Sequence, residues 1–318
     1  METTKEMFDE NEYYGYILKG DLARTISYVK HFPEQSTLYQ RYITIFGKEQ
    51  YLNYAIDESL NGILRAYQQY YRDAFYLCLE KGKAADRLRA KLAALLHVDS
   101  KYSLDDMEQE VVAEVFQRRG FYFLGGKTDG YYGPYVWKTT ESITYDVELP
   151  EGVQTYTVKL LDGFVVKSWL DYLSFGKVST GGWTDADGII NCVKSSYDFD
   201  SENFRVSLLK HEAQHARDLT LWPDMPSVLL EYRAKLVELI YSTERNLLAQ
   251  FVREADSSDG SNGHSVAAHR IVSEYCKFLD KSTDDLNMLS HEEAQLIAKS
   301  LFEKSSFAID SVHCMDRA

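Results

Sequence analysis

The residues of this sequence best suited to chemistry lie in the segment FRVSLLKHEAQHARDL, from Phe204 to Leu219. It contains His211, Glu212 and His215 in the order H-E-x-x-H. In an α-helix, residues four positions apart lie almost one above the other, so both imidazoles can bind the same tetrahedral zinc ion. Glu212 is then placed to accept a proton from zinc-bound water and to pass it to a leaving amine. The spacing predicts a catalytic zinc site; the alternative is an amphipathic helix whose histidines form ordinary hydrogen bonds.

A catalytic zinc site needs a third protein ligand besides the two histidines. Glu231 is the best candidate, because it lies in LLEYRAKLVEL, on a predicted helix that Pro226 starts. If the chain reverses there, the Glu231 carboxylate returns to the face that carries His211 and His215. The alternative for Glu231 is a solvated carboxylate on the helix surface. Asp218 is the rival third ligand, although we expect it to accept a hydrogen bond from an imidazole or to form a salt bridge.

Peptide hydrolysis also needs a donor that stabilises the developing oxyanion, usually a His or a Tyr. We take His264 as the catalytic donor, because the Gly-rich loop before it could place it over the metal. The alternative role for His264 is a polar cap at a helix start. His269, Tyr232 and Tyr197 are the other candidates.

These residues give the sequence a resemblance to the HExxH zincin metallopeptidases, and among them to the gluzincins. The resemblance rests on His211, Glu212, His215 and Glu231, and on the order strand, motif helix, turn and Glu-bearing helix. It implies a zincin-like catalytic domain that hydrolyses peptide bonds through a zinc-bound water activated by Glu212. It also implies that the strand predicted from Gly188 to Tyr197 lies at the sheet edge above the metal and pairs with the substrate peptide.

The elements that must position these residues follow from patterning along the chain. Residues 1–118 carry apolar side chains at helical spacing, as in Asp57 to Glu80, and we interpret them as a helical N-terminal region. Near Gly120 the composition changes to Gly, Tyr, Trp and Thr, which predicts a domain boundary. Residues 119–318 then form the zincin-like catalytic domain. The predicted fold class is α+β, with a small antiparallel or mixed sheet, the motif helix and C-terminal helices.

Local signals fix three further features of the predicted fold. Ser103 with Asp106, and Ser290 with Glu293, have the spacing of capping boxes and predict that helices begin at these points. The segments ESITYDVEL and VQTYTVKLL flank Pro150–Gly152 and alternate polar with apolar residues. They predict an antiparallel hairpin.

Composition limits the classes of function. The formal net charge is −14 at pH 7, which disfavours nucleic acid and anionic membranes as partners. The N-terminal sequence has no basic and apolar leader and no later segment resembles a membrane span, so we expect a cytoplasmic protein. The four cysteines are scattered without a C-x-x-C pair, and we expect free thiols at Cys78, Cys192, Cys276 and Cys314.

The sequence thus predicts a zinc metallopeptidase that acts on a peptide or protein substrate. The alternative is a regulatory or protein-binding member of the same fold that keeps a metal site without peptidase activity. Zinc-dependent hydrolysis of a non-peptide amide is a third possibility. The substrate and the oligomeric state stay open.

Overall fold

The computed structural model describes residues 7–99, 101–185, 187–257 and 263–315, with side chains as far as residue 309. Its helices are α1 (Glu10–Leu18), α2 (Leu22–Lys30), α3 (Ser36–Tyr42), α4 (Glu58–Tyr71), α5 (Lys81–Leu96), α6 (Leu104–Asp106), α7 (Ala113–Gln117), α8 (Ser168–Leu173), α9 (His211–Leu221), α10 (Ser227–Tyr241), α11 (Leu247–Glu254), α12 (Gly263–Leu279) and α13 (His291–Met315). Its strands are β1 (Tyr122–Leu124), β2 (Lys127–Thr128), β3 (Tyr131–Tyr132), β4 (Tyr135–Trp137), β5 (Thr139–Leu149), β6 (Gly152–Asp162), β7 (Val166–Lys167), β8 (Gly182–Thr184) and β9 (Ile190–Val193). The protein is therefore a mixed α/β protein with small sheets.

The chain divides into two compact units. The first unit comprises Met1–Thr139 with Gly163–Thr180, and the second comprises Thr140–Asp162 with Gly181–Ala318. The change from helix to strand falls between Gln117 and Tyr122, where the composition changes, whereas the first compact unit continues to Thr139.

The first unit combines α1 to α8 with two small antiparallel sheets, β1-β4-β7 and β2-β3. The capping box predicted at Ser103 is confirmed. The Asp106 N–H donates to Ser103 Oγ at 3.0 Å, and α6 begins at Leu104, the residue after Ser103. Its core is rich in aromatic side chains and contains tyrosines from α1, α3, α4 and α8. These aromatic rings supply large apolar areas to a core built from short elements.

A carboxylate, Glu108, is buried in the core of the first unit. Its Oε1 accepts a hydrogen bond from the Tyr67 hydroxyl at 2.6 Å, and its Oε2 accepts one from the Gly126 N–H at 2.8 Å. A Cβ at Gly125 would approach Glu108 Oε2 to 2.6 Å, so this position needs a glycine. Burial raises the pKa of Glu108 to about 7, although the two hydrogen bonds lower it.

The second unit contains a four-stranded sheet of order β5-β6-β9-β8. The predicted hairpin is present, since β5 and β6 are neighbours joined by the two residues Pro150 and Glu151. Strand β9 runs parallel to β6 and antiparallel to β8. The sheet is thus mixed, with β5 and β8 at its edges.

The prediction that a strand from Gly188 to Tyr197 lies at the sheet edge is wrong. The strand covers only Ile190–Val193, and it lies between β6 and β8. All four of its residues are buried, which is typical of an interior strand covered on both faces. The edge is instead β8, which begins at Gly182.

Helix α10 is the central helix of the second unit. It packs against α9, α12 and α13, and every residue from Tyr232 to Leu239 is buried. The helix begins at Ser227 directly after Pro226, as the sequence predicts. The capping box at Ser290 is also confirmed: its N–H donates to Glu293 Oε2 at 2.9 Å, and α13 begins at the next residue.

Cys78, Cys192 and Cys276 are free thiols, as expected, and Cys314 lies beyond the described side chains. In the described part of the chain, no helix is both long enough and apolar enough to cross a membrane.

Candidate metal centre

The H-E-x-x-H segment forms the first turns of α9. A π-helical stretch, Asn203–Lys210, leads directly into this helix, and π-helical turns occur frequently at functional sites. His211 and His215 are both buried and lie one turn apart, with ring centroids separated by 4.6 Å. Their Nε2 atoms are 2.9 Å apart. Two imidazole nitrogens therefore face the same point.

Glu231 of α10 brings a carboxylate to this point. Its Oε2 lies 3.4 Å from His211 Nε2, and its Oε1 lies 3.4 Å from His215 Nε2. Zinc binds imidazole nitrogen and carboxylate oxygen at about 2.0–2.2 Å, which places tetrahedral ligand atoms roughly 3.3–3.5 Å from one another. The two 3.4 Å separations therefore fit ligands of one ion, whereas the two Nε2 atoms, at 2.9 Å, would have to move slightly apart to bind it.

Buried polar atoms without hydrogen-bond partners at the site are a second feature consistent with cation binding. Within the described residues, Glu231 Oε2 and His215 Nδ1 are buried and form no hydrogen bond. A buried polar atom without a partner costs about 1–3 kcal/mol, so an ion that engages the Glu231 oxygen would remove a penalty. Two imidazoles and a carboxylate are a donor set that zinc accepts.

The electrostatic environment favours positive charge between these groups. Burial lowers the pKa of His211, but the Glu231 and Glu238 carboxylates outweigh burial and raise this pKa to about 10. Burial raises the pKa of Glu231, but its contacts with His211, His215 and His264 outweigh this and hold the pKa well below its usual range. A pocket that holds a proton this firmly also favours a metal cation.

Glu238 orients the first motif histidine. Its Oε1 lies 2.7 Å from Nδ1 of His211, and both side chains are buried. In neutral His211 this contact would hold the imidazole proton on Nδ1 and leave the Nε2 lone pair for a metal ion. The sequence reasoning missed Glu238. The sequence contains one signal that could have identified it. Glu238 follows Glu231 by two helical turns, so both carboxylates lie on one face of α10.

Glu212 follows His211 directly on α9, and its side chain is held by the edge strand β8. The Thr184 hydroxyl, at the end of β8, lies 2.8 Å from Glu212 Oε2 and donates to it. The same hydroxyl is 2.9 Å from the Glu212 backbone carbonyl. Glu212 is therefore fixed by a neutral donor, which leaves it able to act as a base. Thr184 is a further residue that the sequence reasoning missed.

His264 joins the cluster from the first turn of α12. Its Nδ1 lies 2.9 Å from Glu231 Oε2, and its ring stacks on that of His211 at a centroid distance of 6.1 Å. Ligand atoms of His211, Glu231 and His264 lie within 4.8 Å of one another. The side chain of His264 is 58% exposed, so this group faces both the cluster and solvent.

The structure separates the other candidate donors. The Tyr232 hydroxyl donates to Glu274 Oε2 at 2.7 Å, and His269 is exposed on α12. Burial, followed by the neighbouring Cys192, Glu212 and Glu238, raises the pKa of Tyr197 to about 12. Tyr197 therefore lies close enough to Glu212 to be influenced by its charge.

Asp218 forms an ion pair, which is one of the two roles expected for it. Its Oδ2 accepts from Arg233 Nε at 2.7 Å, and both side chains are fully buried. Its Oδ1 accepts from Gln214 Nε2 at 2.9 Å. Arg233 also donates to Ser305 at 2.8 Å and to Glu151 at 3.0 Å. This network connects α9, α10 and α13 to the β5–β6 turn.

No model of a protein family, no curated protein and no solved structure matches this chain.

Proposed function

We propose that this protein is a zinc-dependent metallopeptidase in which Glu212 is the general base and His211, His215 and Glu231 bind the metal. The observation that carries the proposal is the position of Glu212. Glu212 follows His211 directly on α9, and the Thr184 hydroxyl holds its carboxylate. A metal site that serves only structure has no use for such a base.

The chain's own residues supply the proton transfers of amide hydrolysis. A zinc ion at the site would act as a Lewis acid that polarises the scissile carbonyl and lowers the pKa of water. Glu212 accepts the proton of the attacking water and delivers it to the departing amine nitrogen. Thr184 donates to Oε2 and so fixes the carboxylate, while Oε1 is the oxygen that takes the proton.

The position of β8 at the edge of the sheet is the feature that supports a peptide as the substrate. Strand β8 pairs with β9 on one side and forms an edge of the sheet. Through Thr184, this strand contacts the catalytic residue Glu212 directly. An extended peptide that adds to β8 would therefore pass beside the metal cluster. This agrees with the resemblance to gluzincins, although the edge strand is β8 instead of the one expected.

Cleavage of a broad peptide library by the zinc-loaded protein tests the proposal. We expect cleavage that a chelator abolishes and that added zinc restores. Glu212→Gln should retain zinc and the Thr184 hydrogen bond, because the amide oxygen can still accept. It should nevertheless lower the rate by about 10²–10⁴-fold, since the amide cannot take up the proton.

The matched control is Glu303→Gln, an exposed carboxylate of α13 in the same unit. This variant should cleave at the wild-type rate. Wild-type cleavage by Glu212→Gln with zinc in place would refute the role of Glu212. No cleavage by zinc-loaded wild-type protein of any library peptide would refute the peptidase proposal.

A metal-binding protein without hydrolytic activity is the second candidate, and the position of His264 favours it. A fourth protein ligand closes a structural zinc site, and His264 is the described side chain near enough to Glu231 to provide one. The cleavage assay above separates the two candidates.

A further inference from the structure

The orientation of His264 points to a role other than the oxyanion donor expected from the sequence. Its Nδ1 is 2.9 Å from Glu231 Oε2, which is a hydrogen-bonding distance. Among the described residues, however, Glu231 Oε2 accepts no hydrogen bond, so the N–H direction of His264 does not meet this oxygen. The two atoms are close without being directed at each other. An ion bound by both atoms would need this relation, with their separation opened to roughly 3.3–3.5 Å.

Helix packing holds His264 at this position. On α12, Ala267, Ala268 and Ile271 are fully buried, and α12 packs against α10, which carries Glu231. Ala268 lies one turn after His264 and therefore on the same side of α12. A Cβ on Gly263 would lie 3.4 Å from Glu231 Cγ, which shows how closely the backbone of this turn approaches the carboxylate. The short reach of Nδ1 from the backbone matches this close approach.

We propose that His264 is a fourth protein ligand of the metal centre and binds through Nδ1, together with His211, His215 and Glu231. The proposal rests on the metal site of the proposed function but not on hydrolysis. A zinc site that expands to five ligands accommodates a water beside four protein ligands, so ligation by His264 is compatible with either candidate function. The metal then connects α12 to α9 and α10.

The ligand and donor roles of His264 predict opposite results for metal binding. A donor touches only the substrate, so its removal leaves metal affinity unchanged. Removal of a ligand weakens the metal complex and changes its coordination. Metal binding therefore distinguishes the roles without a substrate.

The experiment titrates metal-free protein with zinc against a chromophoric chelator and records the visible absorption spectrum of the cobalt(II)-substituted protein. For His264→Ala we expect zinc affinity to fall by at least about tenfold. Mutation of a group that only hydrogen-bonds to a metal ligand already costs about this much, and loss of a ligand should cost no less. The cobalt bands should shift or change in intensity. His31→Ala is the matched control, because His31 is an exposed histidine of the first unit, and it should match wild type in both measurements.

A second variant separates ligation from helix capping. His264→Asn keeps a polar group at the start of α12, and it should show the same loss of affinity as His264→Ala. Unchanged zinc affinity and an unchanged cobalt spectrum in both variants would overturn the proposal. Wild-type protein that binds no metal would overturn both this proposal and the proposed function. Weakened binding in both variants, with no peptide cleavage by wild type, would support the ligand and refute the peptidase.

Discussion

Each of the two compact units holds a glutamate carboxylate largely away from solvent, Glu108 in the first and Glu231 in the second, and the two meet opposite surroundings. In the first unit, Glu108 accepts one hydrogen bond at each oxygen, from the neutral Tyr67 hydroxyl and the Gly126 N–H. Burial raises its pKa to about 7. In the second unit, Glu231 lies among three imidazoles that hold its pKa well below the usual range, and its Oε2 accepts no hydrogen bond from the described residues.

The difference separates a carboxylate that completes a core from one that can bind an ion. Each oxygen of Glu108 already accepts a hydrogen bond, so this carboxylate does not offer an unpartnered oxygen to a metal ion. Glu231 lies 3.4 Å from Nε2 of both His211 and His215, in an arrangement that a cation would satisfy. Burial of an acidic group alone therefore does not indicate a site. Convergence of ligand atoms from several residues, among them a carboxylate oxygen without a hydrogen bond, does.

A third buried carboxylate, Asp218, gives the largest expected effect on stability. Asp218→Asn should lower the free energy of unfolding by about 3–5 kcal/mol, because the fully buried Arg233 loses its main counter-charge. Denaturant unfolding measures this loss. The folded variant should still bind metal, and loss of metal without loss of stability would make Asp218 the third ligand in place of Glu231.

Glu108 should make the stability of the first unit depend on pH. Its folded-state pKa of about 7 exceeds the usual value of 4.5, so the folded state binds more protons between these pH values. The stability that Glu108 contributes should therefore be fully present below about pH 4.5, and about 3 kcal/mol of it should be lost as the pH rises through 7. Glu108→Gln should remove this contribution, which unfolding curves at several pH values would show. An unchanged pH profile in the variant would contradict the assignment, and metal affinity should not change.

The corresponding change in the second unit should affect metal binding. Glu231→Gln should lower zinc affinity by more than about tenfold, because a neutral amide is a poorer ligand than a carboxylate. Competition with a chelator measures the affinity, and Glu108→Gln is the control for a buried glutamate outside the site. Equal affinities in the two variants would remove the distinction drawn between the carboxylates.

Glu238 should have the smallest effect on metal affinity. Glu238→Gln keeps an oxygen that accepts from His211 Nδ1–H but loses the negative charge, so we expect zinc affinity to fall by about tenfold. The same chelator competition measures this change. An affinity equal to that of wild type would show that the contact with His211 contributes only to packing.

Features that depend on neighbouring residues in the chain could be predicted from the sequence. The capping boxes at Ser103 and Ser290 and the hairpin turn at Pro150 depend on residues within a few positions of one another. The helical spacing of His211 and His215 is of the same kind. The structure places His264 and Glu231 beside this pair, as the sequence reasoning anticipated, while their roles stay predictions.

Features that depend on tertiary packing could not be predicted in this way. Thr184 contacts Glu212, 28 positions later, only because β8 passes α9. The edge position of β8 depends on the parallel pairing of β9 with β6, which no short segment encodes. Glu238 acquires its role because α10 packs against α9, and its helical spacing from Glu231 becomes informative only when that packing is known.

The metal content of protein purified without added zinc tests the central claim most directly. Elemental analysis of wild type should find about one zinc ion per chain, and His211→Ala should contain almost none, because this change removes an Nε2 ligand from the centre of the cluster. The exposed His31→Ala is the control and should retain the wild-type content. Undiminished metal in His211→Ala would contradict the metal centre described here.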